Sequence, residues 1–209
     1  MAAQSKSRLS LKLLLLVAML VPVTIMLTRA YEGITAQPLL PQSEVPLWAL
    51  GLHGGASVLF LVLGGLQVLP GFRRNHRALH QRMGRVMIAV SLIGAVSGIW
   101  ITLAWPTISG PVLYWARLLA GVFWLVALML AVLAIRQRDF ATHGRWMLRA
   151  YGLALTAGTL PFLLLPFMAV FGEGHLLMEE TLQVVGWVVN IWLIEKLAGR
   201  PRRKMPALA

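Results

Sequence analysis

Apolar positions in this chain do not alternate with polar ones. They run on without charge and then stop at clusters of charge or proline. Crossing about 30 Å of hydrocarbon takes roughly 20 residues of helix, so a charge-free run of about 18 or more reads as a membrane span. Six runs approach this, at 11–27, 46–69, 84–105, 112–135, 146–171 and 181–197, with no charge inside them but Lys12, Arg85, Arg117, Arg149, Glu195 and Lys196. They predict an all-α fold: one integral membrane bundle of about six transmembrane helices over 11–198. A basic stretch at 1–10 precedes it and a basic tail at 199–209 follows. The first run, after Lys6 and Arg8, also has the outline of a signal peptide ending near Thr28-Arg29-Ala30. It is long for a signal-peptide core, so we expect an uncleaved helix; cleavage would leave five spans. Pro161 and Pro166 fall inside the fifth span and predict a kink there, because each removes a backbone donor.

The connections decide the orientation. The N-terminus, the loops at 72–82 and 136–145 with their flanks, and the tail fall on one side of a six-span bundle. They hold 17 of the 19 Lys and Arg residues, all but Arg29 and Arg117. The other side holds Glu32, Glu44, Glu173, Glu179 and Glu180, five of the seven acids. Basic residues accumulate on the cytoplasmic side of membrane proteins, so both termini are expected in the cytoplasm, in a bacterial inner membrane. Trp48, Trp105, Trp115, Trp146 and Trp187 lie near span ends, where indole rings anchor to the interface.

Composition narrows the chemistry. The chain is 58% hydrophobic and 12% charged, against about 25% charged in soluble domains. The net charge of +12 would suggest nucleic acid in a soluble protein. Here the basic residues flank spans and meet anionic lipid, so the bilayer is the expected partner and nucleic acid is not. With no cysteine in the chain, disulfides, thiolate metal sites and cysteine nucleophiles are excluded. No HExxH, P-loop or GxSxG motif and no intramembrane aspartate pair is present, which argues against a familiar intramembrane protease or ATPase.

The candidate chemistry rests on a few polar residues. His53 lies about seven residues into the second span, roughly 10 Å below its outer end. An ionisable group at that depth needs a polar partner or a wet cavity. His80 and His143 each stand at the cytoplasmic start of a span with arginines after them, in His80-Gln81-Arg82-Met83-Gly84-Arg85 and His143-Gly144-Arg145-Trp146-Met147-Leu148-Arg149. Two histidines at one depth on different helices can ligate a haem b iron from both faces, and Arg85, Arg145 and Arg149 would then meet the propionates. The plainer reading is interfacial caps with arginines reaching lipid phosphate. Gln67, Asn190 and Glu195 are structural polar candidates: Asn190 as an interhelical hydrogen bonder, Glu195 as a partner for Arg85 or Arg149. Arg117 is a candidate partner for an anionic group.

These segments also carry a resemblance. His53-Gly54-Gly55-Ala56-Ser57 through Gly64-Gly65-Leu66-Gln67, the His80 and His143 segments, and Trp187-Val188-Val189-Asn190 with Glu195 are similar to the bacterial multi-pass membrane family DUF2306, over about residues 48–197. The chain departs from that pattern at Gly144, where a basic residue is common. The resemblance implies the helical fold and weight on His53, His80, His143, Arg85 and Arg149, but no activity. The arrangement is also similar, more loosely, to membrane b-type cytochromes. Three functions follow as alternatives. The first is a haem b redox protein, with His80 and His143 as iron ligands and His53 serving a second haem or a quinone. The second is a small-solute transporter with His53, Gln67 and Asn190 along a path. The third is a non-catalytic assembly partner.

Overall fold

In the computed structural model the described residues are 2–37, 39, 43–172 and 174–198, with side chains from residue 19 onward except at Pro70, Leu197 and Ala198. The tail at 199–209, Pro38, Pro41, Glu173 and the side chains of Lys6, Arg8 and Lys12 lie outside them. Eight α-helices follow one another: α1 (Ala2–Thr35), α2 (Leu47–Val68), α3 (Pro70–Asn75), α4 (Arg77–Ala104), α5 (Pro111–Arg136), α6 (Phe140–Thr159), α7 (Pro161–Phe171) and α8 (Leu176–Ala198). A short 3-10 turn, Pro106–Ile108, joins α4 to α5. Five segments beyond α1 are long and apolar enough to cross a membrane: α2, α4, α5, α6 with α7, and α8. The chain is an all-α integral membrane bundle of about six transmembrane helices.

Helices and spans do not share boundaries. α4 begins in the arginine-rich segment at Arg77, and α3 occupies most of the remainder of it. α6 begins at Phe140, with the Asp139 side chain accepting from Thr142 N at 2.9 Å as its cap. Arginine favours helix and reaches water along its own stem, so charge ends a membrane span without ending the helix. The proline break falls at one place. Pro161 takes the first position of α7, where its missing N–H forfeits nothing, while Pro166 is accommodated inside that helix.

α2 packs on α4, α4 on α5, α5 on α6 and α6 on α8, and α1 closes against α2 and α6. Phe60, Leu61, Met87, Ala127, Ala150 and Tyr151 form a buried core at the middle of the bundle. The Tyr151 hydroxyl donates to Leu61 O at 3.1 Å. Its ring lies where a Cβ on Gly64 would come within 2.9 Å, so α2 and α6 approach closely because that position is bare. The Trp124 ring lies tilted against Phe60, centroids 5.2 Å apart, and its indole N–H donates to Ser91 Oγ at 2.7 Å. The core divides the molecule into a basic end, which carries α3 and the connection from α5 to α6, and a far end with the connections from α1 to α2, α4 to α5 and α7 to α8.

Candidate functional site

His53, Gly98, Arg117 and Gln183 stand six or seven residues from the far ends of α2, α4, α5 and α8. At 1.5 Å per residue this is one layer roughly 10 Å inside the bundle. The layer borders a cavity of about 430 Å³ whose wall is otherwise mainly apolar, with Met26, Leu61, Ile99, Trp124 and Trp187 among its lining. Sites for small organic molecules run to about 300–1,000 Å³ and pair such walls with a few polar groups.

His53 is fixed from one side. Its Nδ1 is 3.0 Å from Gly94 O and 3.3 Å from Ser97 Oγ. A Cβ at position 98 would come 2.8 Å from its Cε1, so the ring occupies space that only glycine leaves. Arg117 is held differently. No hydrogen bond or ion pair of its guanidinium occurs among the described residues, and the charged groups that act on it and through it are Glu180 and His53. Glu180 is 3% exposed; its carboxylate accepts from Gly110 N and, at 3.4 Å, from Leu113 N at the start of α5. The favourable helix-end environment holds the acid in place beside the arginine's helix. Gln183 likewise makes no side-chain hydrogen bond among the described residues. The layer therefore presents an unpaired cation, an amide and an imidazole to an apolar chamber.

The second layer lies at the basic end, beyond the central core. His143 Nδ1 is 2.9 Å from Ala131 O. His80 and His143 lie within range of each other's charge, with Arg73 also near His80. His80 Nδ1 is buried without a partner, and Gln67 donates to His80 O at 3.3 Å. Arg149 is committed: it pairs with Glu195 and stacks 4.2 Å from the Trp146 ring. Arg145 donates to Thr142 Oγ1 at 3.0 Å, and Arg85 is exposed. Asn190 donates to Thr156 Oγ1 at 2.9 Å and Thr159 Oγ1 at 2.8 Å, joining α8 to α6. Of the polar residues weighed as candidate chemistry in the sequence, His53 and Arg117 line the cavity; His80, His143, Gln67, Asn190 and Glu195 do not. Among the described residues no three His, Asp or Glu side chains gather to hold a metal ion.

Three partners in the far layer escaped the sequence reading. Glu180 passed for an acid of the connection before the sixth span, and Gln183 was not singled out. Ser97 gave no signal, because a serine inside a span ordinarily bonds its own helix.

A family model described as predicted membrane protein (DUF2306) matches residues 50–197. No curated protein and no solved structure matches the chain.

Proposed function

We propose, from the premise that the chain belongs to the DUF2306 family of predicted membrane proteins, that it is a membrane-embedded binding protein for a lipophilic redox carrier of the quinone class. The observation that carries the reading is the unpaired Arg117 guanidinium beside His53 on the wall of an apolar, tryptophan-lined chamber. An unpaired cation within a bundle needs an acceptor, and a flat molecule with oxygen at its edge supplies one without adding bulk. With the termini in the cytoplasm of a bacterial inner membrane, the chamber opens in the outer half of the bilayer. Titrating the purified protein in mild detergent with a short-tailed ubiquinone and its quinol tests this through quenching of tryptophan fluorescence. The expected result is saturable one-site binding of at least one form, weakened about tenfold or more in Arg117→Gln. Absence of saturable binding by both forms sinks the reading.

A second reading is haem b between His80 and His143. One observation favours it: His143 Nδ1 faces a carbonyl, which leaves Nε2 as a ligating lone pair in the manner of metal-bound histidines. It ranks second because Arg149 is already paired with Glu195 and the cavity borders neither histidine. A Soret band lost in His143→Ala would support it; a colourless folded protein from haem-replete cells would remove it.

A further inference from the structure

The tautomer of His53 is set by its surroundings. Gly94 O accepts only, so the Nδ1 that faces it at 3.0 Å carries the hydrogen. Ser97 Oγ stands 3.3 Å from the same nitrogen. Its own hydrogen is directed to the backbone, at 2.6 Å from Ile93 O, so it too receives from Nδ1 rather than donating to it. Both neighbours agree, and Nε2 of the neutral ring is left as an acceptor without a partner among the described residues. A proton there would place two cations, His53 and Arg117, on one wall of a chamber walled by apolar side chains. Glu180 is the acid that acts on Arg117, and it is engaged at the start of α5. The cavity-lining residues of α1, α4 and α6, among them Met26, Ser97's neighbour Gly98, and Thr156, add no further titratable group.

The wall therefore offers a lone pair at His53, N–H donors at Arg117, and at Gln183 an amide that turns either its N–H or its oxygen to the ligand. A carbonyl oxygen satisfies the donors but meets the Nε2 lone pair with its own. A hydroxyl satisfies both, giving its hydrogen to Nε2 and receiving from the guanidinium on the same oxygen. We infer that the chamber selects the hydroxyl-bearing, reduced form of its ligand over the carbonyl form, with His53 Nε2 as the group that discriminates. The inference rests on the quinone-class reading and refines it to the quinol.

The test compares the full-length protein's affinity for a short-tailed ubiquinone with that for the same molecule chemically reduced and kept anaerobic. The quinol is expected to bind about tenfold more tightly, the effect of one hydrogen bond made against one left unsatisfied. His53→Gln, whose amide both donates and accepts, is expected to bind the two forms alike. Equal or reversed affinities in the wild-type protein overturn the inference while leaving the quinone-class reading intact. Failure of both forms to bind removes that reading itself. If His53→Gln folds poorly, the wild-type comparison still decides.

Discussion

The imidazole of His53 occupies space that exists only because position 98 has no Cβ. A methyl group 2.8 Å from Cε1 would push the ring off Gly94 O and move its free nitrogen. Gly98→Ala is therefore expected to weaken ligand binding about tenfold and to cost about 1–3 kcal/mol of stability by overpacking, read from titration and thermal unfolding. An unchanged affinity would mean that the ring's position is immaterial. Tyr151 makes a contrasting case. Leu61 O also serves the α2 backbone ladder, so Tyr151→Phe strands no acceptor and should cost only about 1 kcal/mol. Residues of this scale were unevenly legible. His53 and Arg117 stood out because an ionisable group in an apolar run is conspicuous. Glu180, Gln183 and Ser97 did not, since their roles depend on which helix faces them, and periodicity does not say.

Between elements, the seam of α6 with α8 is held by polar contacts at both depths: Asn190 with Thr156 and Thr159, and Arg149 with Glu195. Interhelical hydrogen bonds in membranes contribute about 0.6 kcal/mol each, with a ceiling near 1.7. Asn190→Ala, losing two, is expected to lower stability by about 1–2 kcal/mol, read from thermal unfolding. The start of α6 responds to acid. The Thr142 hydrogen bonds, side chain first and then backbone, and the charge of Arg145 hold the Asp139 carboxyl below its ordinary range. A carboxyl lowered in the folded state contributes stability above its unfolded pKa and loses it as pH falls through the folded value. Asp139→Ala should therefore unfold earlier than the wild type at neutral pH, with the gap closing at strongly acid pH. A gap independent of pH would show that the charge of the cap is irrelevant. Sequence pattern pointed to about six spans but not to the helix ends, because at Arg77 and Phe140 the hydrophobic signal stops while the hydrogen-bonded backbone continues.

For the molecule as a whole, the number and character of the spans were legible because hydrocarbon imposes the same requirement on every one of them. The separation of polar groups into two layers was not, since it arises from how the helices face one another around Phe60, Met87 and Tyr151. The orientation can be measured directly on this cysteine-free chain. A single cysteine at Gln137, in the connection from α5 to α6, should react with impermeant thiol reagents only from the cytoplasm, and one at Gln37 only from outside. The reverse pattern would invert the placement of the chamber.

The buried core between the two layers also acts as the dielectric of a capacitor. A transmembrane voltage falls through apolar layers poor in water, and the slab built around Phe60, Leu61 and Tyr151 is one of them. Carrying one charge across the whole field takes about 2.3 kcal/mol per 100 mV. The proposed ligand carries no net charge in either form, and Arg117 is already in place, so loading the chamber moves no charge through that field. Occupancy of the chamber should thus be nearly insensitive to membrane potential, so an energised membrane and a collapsed one would load it alike.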